Sequence, residues 1–320
     1  MNKTLVVDLG FSAAKYLYGD KKKGLIKSCY RKINKDADGS YQWQGSTYLV
    51  GEKALLETGS RYLRTIDELI GMYPLFVACA ANKAGISEAD TLVVGLPYTF
   101  WHDENQKQKK GKSNAIDTLI RSLESFEVNG VIHSFGSVIV FPQGLGGIKA
   151  YLNGNGAASH DNILGVDIGF NTVIYNIYST EEKEILTGGT YYKKGLHDMA
   201  VNHLDISAHL PGRTLTPIEI NHIILNGKIQ VGFDLIDVRP EIETAVSTYI
   251  QDLLQLILGD LKAHGGVITF DTVLFFGGGA RLIDGLLSSA KINVVIQNEP
   301  EYANARGFLI KAKELETTEA

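Results

Sequence analysis

Two copies of one short motif hold the residues of this sequence that are best suited to chemistry. A short apolar run ends in Asp-x-Gly at Asp8 and Gly10, and another ends in the same way at Asp167 and Gly169. The aspartates are 167 − 8 = 159 positions apart in a chain of 320 residues. A single copy could be an ordinary buried strand, but two copies at half-chain spacing indicate duplicated units that each present a carboxylate and a flexible turn.

The turn after each aspartate is suited to binding phosphate oxygens. A strand that turns back as a hairpin exposes successive backbone N–H groups, and such a concave turn binds anions. Glycine in the turn permits a close approach that a Cβ would block. The candidate phosphate-binding residues are Gly10, Phe11, Ser12 and Lys15 in the first copy, and Gly169, Phe170, Asn171 and Thr172 in the second.

The side chains of the two turns differ. Lys15 is a candidate cation for phosphate, although it could also be a solvated strand lysine, and Ile174 stands at the matching position of the second copy. Asp8 and Asp167 could hold Mg²⁺ through its water ligands, because magnesium prefers oxygen ligands and keeps several waters. Two such turns facing each other would hold a polyphosphate from both sides.

A run of three glycines after a later strand is the third candidate segment. Gly277, Gly278 and Gly279 follow the apolar run 272–276 and would let the backbone approach a flat group such as an adenosine, with Arg281 against it. Three glycines also close ordinary turns, so this signal depends on the two phosphate turns before it. The sequence contains no Rossmann fingerprint, P-loop, Gly-x-Ser-x-Gly elbow or zinc-ligand spacing.

The composition is that of an ordinary globular protein, with 44% hydrophobic and 21% charged residues. No apolar run reaches the roughly 18 residues that span a bilayer, and the N-terminus has no charged and apolar leader. We therefore expect an unprocessed cytoplasmic protein with no membrane contact. Two isolated cysteines, Cys29 and Cys79, suit a reducing compartment. The net charge of −5 argues against direct sequence-specific binding of nucleic acid.

Strand-like and helix-like patterns alternate along both halves, which predicts an α/β fold. The pattern predicts a small β-rich region at about 31–71, then a helix over 74–84 and one long polar helix over 109–123. Residues 187–189 have the composition of a turn. The apolar positions in 240–261 have the spacing of a helix that packs into a core.

This order of motifs resembles the actin, sugar-kinase and heat-shock-chaperone ATPase superfamily over essentially the whole chain. Within it, four short motifs resemble the bacterial and archaeal actin-like proteins of the plasmid-segregation ParM/StbA group: Tyr48-x-Val50-Gly51-Glu52-x-Ala54, Gly95-Leu96-Pro97, Pro142-Gln143-Gly144 and Asn304-x-Arg306-Gly307. The second phosphate loop departs from the family pattern Gly-Gly-Thr-Thr, because Phe170 and Asn171 stand in its middle.

The resemblance implies duplicated ribonuclease-H-like domains of the actin type with a nucleotide cleft between them. The first domain would comprise residues 1–152 and 300–320, with the β-rich region as a small subdomain, and the second would comprise 153–299. A mainly helical subdomain is expected at about 191–265. The glycine-rich residues 153–156 would connect the halves.

The resemblance also implies ATP or ADP with Mg²⁺ as the bound cofactor, with GTP possible. Gln143 would position the attacking water, and Asp8 and Asp167 would complete the catalytic set. A neutral amide is no strong base, but it can orient a water in line with the γ-phosphate, which suits slow hydrolysis. Alternatively, Gln143 only caps the helix that follows Pro142.

The expected function is that of a filament-forming ATPase whose filament is controlled by ATP hydrolysis. Head-to-tail contacts between identical subunits do not close, so they build open helical filaments. The resemblance implies plasmid or other DNA segregation, through an adaptor DNA-binding protein on a centromere-like plasmid site. Two alternatives are open: a small-molecule kinase, which needs a carboxylate base beside a substrate hydroxyl, and a nucleotide-gated adaptor that does not polymerise.

Overall fold

The computed structural model of the chain describes residues 3–19, 22–110, 114–155, 162–213, 215, 217–263, 269–283 and 292–319. The chain divides into two compact units. The first unit comprises Met1–Ala158, Thr187–Gly189 and Glu301–Ala320, and the second comprises Ser159–Leu186 and Thr190–Pro300. Residue 156 of the predicted connection lies outside the described residues. Among the helices described, none is both long and apolar enough to cross a bilayer.

Strands supply the central layer of both units. In chain order they are β1 (Thr4–Leu9), β2 (Ala13–Tyr18), β3 (Lys22–Lys27), β4 (Cys29–Ile33), β5 (Tyr41–Trp43), β6 (Ser46–Val50), β7 (Arg61–Tyr62), β8 (Glu88–Leu96), β9 (Ser125–Val128), β10 (Val131–Pro142), β11 (Asn162–Ile168), β12 (Thr172–Ser179), β13 (Glu184–Tyr192), β14 (Lys228–Val231), β15 (Asp234–Asp237), β16 (Thr272–Phe276) and β17 (Asn293–Ile296).

Helices pack on these sheets. In chain order they are α1 (Glu52–Leu55), α2 (Ile66–Ala84), α3 (Tyr98–Lys109), α4 (Ala115–Glu124), α5 (Leu145–Asn155), α6 (Leu196–Asn202), α7 (Pro217–Asn226), α8 (Arg239–Ala263) and α9 (Ala303–Glu319). Short 3₁₀ turns lie at Ala280–Leu282 and Pro300–Tyr302.

The main sheets of the two units are arranged in the same way around one strand. The first has the order β3-β2-β1-β8-β10-β9, and the second has the order β13-β12-β11-β16-β17. In each, the strand that carries the aspartate pairs antiparallel with the next strand and parallel with a later one. Strands β4 to β7 form a separate small sheet in the order β5-β6-β4-β7. The predicted α/β class is confirmed.

Strand β1 is buried on both faces, because successive side chains point to opposite sides of a sheet. Leu5, Val7 and Leu9 belong to the core that contains Tyr73 and other residues of α2. Val6 belongs to a second core with residues of α9. A strand with helices on both faces is typical of α/β sheets, and it places Asp8 at the end of a rigid element.

The core of the second unit lies between its sheet and α8. The predicted helical stripe is confirmed, since most of its apolar residues are buried, namely Ile242, Val246, Ile250, Leu253, Ile257 and Leu261. Among the predicted positions, only Leu258 is exposed, with 37% of its surface accessible. The core with α8 thus contains Val166 and Ile168 of β11, and Asp167 between them points to the other face of the sheet.

The helix predicted over 109–123 begins too early, because Lys109 is the last residue of α3 and α4 begins only at Ala115. Asn114 begins α4, and its side chain accepts a hydrogen bond from Asp117 N at 2.8 Å. The buried Glu104 of α3 accepts a second one from Ala115 N at 2.6 Å. Two acceptors for the first N–H groups of a helix define a new start. Residues 111–113 lie outside the described part of the chain.

Two further element predictions are corrected. The helix predicted from Pro74 begins at Ile66, because Thr65 caps it by accepting a hydrogen bond from Glu68 N at 3.2 Å. Pro74 lies inside this helix. The turn predicted at 187–189 is wrong, since these residues lie within the strand β13. Glycine composition alone does not distinguish a turn from a strand interior.

Candidate functional site

The first candidate hairpin, β1 and β2, closes as the sequence predicts. Gly10 N donates to the carbonyl of Ala13 at 3.1 Å, and Leu9 pairs with Ala14 in the antiparallel register. Phe11 and Ser12 form the tip of the turn. The same register places Asp8 directly opposite Lys15, so the carboxylate and the ammonium are held by neighbouring strands.

Three predicted site residues meet at the end of β1. Lys15 Nζ lies 3.8 Å from Asp8 Oδ2, and their side chains are 17% and 2% exposed. Gln143 Nε2 donates to Asp8 Oδ1 at 2.7 Å. A distance of 3.8 Å suits an ion pair but exceeds a hydrogen bond, so the Lys15 ammonium can still donate to a phosphate. The burial of Lys15 argues against a merely solvated lysine.

Gln143 reaches Asp8 by crossing the strand between them. It follows β10, while Asp8 belongs to β1, and β8 lies between these two strands. A Cβ on Gly95 of β8 would lie 3.1 Å from Gln143 Cγ and 2.6 Å from the Phe308 ring. Gln143 can therefore extend to Asp8 because residue 95 has no side chain. The predicted Gly95-Leu96-Pro97 motif thus belongs to the site.

The cap of helix α5 comes from Asn304, and Gln143 has another partner. Asn304 Oδ1 accepts from Gly144 N at 3.0 Å and from Gly147 N at 3.1 Å. A Cβ on Gly307 would lie 1.8 Å from the carbonyl oxygen of Gly146, so α5 and α9 cross in direct backbone contact. The Asn304-x-Arg306-Gly307 motif therefore fixes the start of α5, and the Gln143 amide is left to bond with Asp8.

The second candidate hairpin, β11 and β12, has the same backbone. Gly169 N donates to the carbonyl of Thr172 at 2.9 Å, and Ile168 pairs with Val173. Asp167 faces Ile174 across the pair of strands. Asp167 and Thr172 are mostly buried, whereas Phe170 and Asn171 at the tip are partly exposed. The hairpin backbone is repeated, but no lysine stands opposite this aspartate.

The glycine segment after β16 lies against the second hairpin. Gly277 has a φ of +83°, and a Cβ there would lie 2.2 Å from Asp167 Oδ1. Gly279 N donates to the carbonyl of Ile168 at 2.8 Å. A Cβ on Gly278 would have no atom within 4 Å, and Arg281 is exposed on the 3₁₀ turn. The predicted adenosine segment and Asp167 are therefore neighbours.

Helix α6 supports the second hairpin through contacts that sequence reasoning missed. Leu196 N donates to the carbonyl of Gly169 at 3.1 Å, and His197 N donates to that of Phe170 at 2.9 Å. A Cβ on Gly195 would lie 2.5 Å from the Gly169 carbonyl oxygen. The glycine before this helix is the sequence signal that could have pointed to the contact.

The side chains present fit a magnesium nucleotide. The hairpin turns and Lys15 offer N–H donors and a cation for phosphate, and Asp8 and Asp167 offer carboxylate oxygens. Within the described residues, no group of three or more His, Cys, Asp and Glu side chains could hold a metal ion. Magnesium can bind through a single carboxylate with the remaining ligands from water and phosphate, so the carboxylate of either hairpin, taken by itself, suits it.

Comparison with known proteins agrees with this architecture. Residues 7–146 match the family described as "Actin like proteins N terminal domain", and this segment contains the first hairpin and Gln143. The structure of Ta0583, an archaeal actin homolog, superposes with a TM-score of 0.76 at 18% identity, covering 98% of this chain and 99% of that chain. The chain has an actin-like fold.

Two other solved structures are similar to this chain. A 15-stranded ParM filament from Clostridium botulinum has a TM-score of 0.70 at 20% identity, covering 98% of this chain and 100% of that chain. Ta0583 in complex with ADP has a TM-score of 0.73 at 18% identity, covering 98% and 99%. No curated protein matches the sequence. The predicted actin-type fold and the resemblance to actin-like proteins are confirmed.

Proposed function

We propose that this actin-like chain binds ATP with Mg²⁺ through both hairpins, hydrolyses it slowly and assembles into filaments that hydrolysis weakens. The arrangement of Asp8, Lys15 and Gln143 at the tip of β1 carries this proposal, because it combines a phosphate cation, a carboxylate and a water-orienting amide. The similarity in fold to a homolog that was crystallised with ADP supports nucleotide binding.

Phosphate binding is assigned to the two turns and Lys15. The N–H groups at the hairpin tips would donate to phosphate oxygens, and Lys15 would pair with their charge. Asp8 and Asp167 would hold Mg²⁺ through its waters, and the bound ion would neutralise phosphate charge. The segment from Gly277 to Gly279 would take the adenosine. GTP offers the same phosphates, so the choice of ATP rests on the resemblance.

Gln143 is assigned to the attacking water. An ionised Asp8 can only accept hydrogen bonds, so its 2.7 Å contact fixes which end of the Gln143 amide is Nε2. The carbonyl Oε1 then points away from the carboxylate and can accept a hydrogen bond from water. An amide orients water without removing its proton, and this suits a slow ATPase that acts as a timer.

Filament formation is proposed from the fold. Solved actin-like neighbours include a ParM filament, and head-to-tail contacts between identical subunits continue without closing. We further propose a cytoplasmic role in plasmid or other DNA segregation. The net charge of −5 favours contact with DNA through an adaptor protein bound to a centromere-like site.

The decisive experiment adds Mg-ATP to purified protein and follows light scattering, pelleting and phosphate release, with electron microscopy of the pellet. We expect filaments to form with ATP and to disassemble as phosphate is released. Protein that stays monomeric at high concentration would contradict the filament proposal. Faster ADP release with one of a panel of sugars and carboxylates would favour a kinase instead, and bound nucleotide without turnover would favour an adaptor.

A further inference from the structure

The Tyr73 hydroxyl lies between two parallel strands where they end. Tyr73 belongs to α2, and its side chain is completely buried. The hydroxyl donates to the carbonyl oxygen of Gly95 on β8 and accepts from Gly95 N–H at 3.2 Å. The backbone of Leu9, at the end of β1, also lies near this hydroxyl, since it contributes to lowering the pKa of Tyr73. One side chain of α2 therefore bonds to both polar backbone groups of Gly95, beside the end of β1.

This hydroxyl stands where the next bond of the ladder is expected. The paired residues of β1 and β8 end with Val7 and Val94. In a parallel sheet that continued in this register, the backbones of Leu9 and Gly95 would bond directly. Because the hydroxyl bonds to the Gly95 N–H and carbonyl instead, the spacing between the two strand ends depends on a side chain of α2.

Both strand ends touch the candidate catalytic groups. Leu9 follows Asp8, and its carbonyl oxygen lies 3.5 Å from Gln143 Nε2. Gly95 lies under Gln143, where a Cβ would come within 3.1 Å of Cγ. A change in the spacing of β1 and β8 would therefore change how Gln143 meets Asp8.

The hydroxyl remains a donor over the whole physiological pH range. Burial, and then the negative charge of Asp8, raise the pKa of Tyr73 above its ordinary value, while bonds from the backbone of Leu9 and Gly95 lower it by less. The neutral phenol keeps one donor and an acceptor, and the strand contacts use both.

We propose that Tyr73 is a positioning residue for hydrolysis, which sets the spacing between β1 and β8 so that the Gln143 amide is aligned on Asp8. The inference rests on the proposed function. It concerns how Gln143 aligns the attacking water. Phosphate binding is assigned instead to the hairpin turn and Lys15.

The test is Tyr73→Phe, which keeps the ring and removes the hydroxyl. Without the hydroxyl, the strand ends pair directly or admit a water, and Asp8 moves relative to Gln143. Since a displacement of about 1 Å can cost about 100-fold in rate, we expect kcat for ATP hydrolysis to fall about tenfold. The Kd for ATP should change by less than about threefold, because the hydroxyl acts on the alignment of Gln143 and not on nucleotide binding.

Tyr41→Phe is the matched control. The Tyr41 hydroxyl also contacts α2, with a distance of 3.2 Å to Cys79 Sγ. Within the described residues it makes no hydrogen bond to Gly95, Asp8 or Gln143, so kcat should stay unchanged. A wild-type protein without ATPase activity would overturn the proposed function and this inference with it. An active wild type whose Tyr73→Phe variant matches Tyr41→Phe, or loses affinity as much as kcat, would overturn the inference alone.

A second measurement tests the inference even if the Tyr73→Phe variant does not fold. In wild-type protein labelled at tyrosine, the Tyr73 hydroxyl proton should exchange slowly and show nuclear Overhauser contacts to the amide protons of Leu9 and Gly95. Missing contacts, together with a direct contact between the Leu9 and Gly95 backbones, would show that the hydroxyl does not separate the strands and would overturn the inference.

Discussion

The two hairpins have one backbone and two different sets of side chains. Each closes with a bond from the glycine N–H to the carbonyl three residues on, at 3.1 Å from Gly10 and 2.9 Å from Gly169. Opposite the aspartate stands Lys15 in the first hairpin and Ile174 in the second. The shared geometry is a property of the backbone, which glycine permits, so it survives the change in the facing side chain.

The surroundings of the two aspartates extend this difference. Asp8 contacts the side chains of Lys15 and Gln143, whereas Asp167 lies against the backbone of Gly277. The first hairpin thus assembles side-chain chemistry, and the second brings backbone close to its carboxylate. In the proposed function, charge and water alignment come from the first hairpin, and close approach to the nucleotide comes from the second.

The largest expected effect tests the side-chain chemistry of the first hairpin. Gln143→Ala removes the amide that orients water, and we expect kcat for ATP hydrolysis to fall about 100-fold while ATP affinity is nearly kept. Phosphate release and fluorescent-nucleotide titration measure the two quantities. Gln108→Ala is the control, since Gln108 also donates to an aspartate, Asp117, at 3.1 Å on an exposed surface. Normal hydrolysis by the Gln143→Ala variant would contradict the proposal that the first hairpin supplies the alignment of the attacking water.

Making the first hairpin resemble the second tests the role of charge. Lys15→Ile removes the cation but suits a strand, so we expect ATP affinity to fall about 30-fold, in line with about 2 kcal/mol for a charged hydrogen bond. Isothermal titration calorimetry measures this loss. Lys149→Ala, which breaks an ion pair with Glu314 away from the hairpin, should bind ATP like the wild type. An unchanged affinity in Lys15→Ile would mean that the lysine does not contact phosphate.

The close approach between the Gly277 backbone and Asp167 of the second hairpin can be tested through the stability of variants. Gly277→Ala places a Cβ 2.2 Å from Asp167 Oδ1 at a φ of +83°, and we expect a loss of about 2 kcal/mol in the free energy of unfolding. Gly278→Ala, at an exposed position with open space, should stay within about 0.5 kcal/mol. Urea unfolding followed by far-UV circular dichroism compares them. Equal stabilities would show that Asp167 is not packed against this backbone.

The smallest expected effect concerns the strand that delivers Gln143. His133 on β10 is 1% exposed and stacks on Phe126, and burial lowers the pKa of His133 below its ordinary value. The unfolded chain then binds the proton more strongly, so this stability is present above about pH 6.5 and is lost as pH falls through the folded pKa.

Tryptophan fluorescence can follow the effect of His133, since Trp43 and Trp101 both lie in the first unit. The urea midpoint of wild-type protein should be lower at about pH 5.5 than at about pH 7.5. His133→Phe removes the titrating group and should reduce this difference. If the pH dependence of the variant equals that of the wild type, the acid sensitivity of the first unit comes from other groups.

Local patterns predicted the elements that depend on neighbouring residues. The apolar run before Asp8, the glycine turn after it and the apolar spacing in α8 are properties of short segments, and the structure has each of them. The helix predicted over 109–123 begins too early because its true start at Ala115 depends on Glu104 of α3, which accepts a hydrogen bond from Ala115 N. Similarly, Thr187 to Gly189 have the composition of a turn but lie inside the nine-residue strand β13.

By itself, the sequence determined that two similar strand-turn units exist, that each carries an aspartate, and that only the first has a lysine nearby, because these are facts of order and spacing. Tertiary structure decided which distant groups reach Asp8. Gln143 lies 135 positions away in the sequence, and β8 separates its strand β10 from β1. It reaches Asp8 only because residue 95 of β8 is glycine. The Tyr73 hydroxyl and the Asn304 cap likewise depend on helices packing against the sheet. Contacts of this kind follow from strand order and helix packing, which no local pattern encodes.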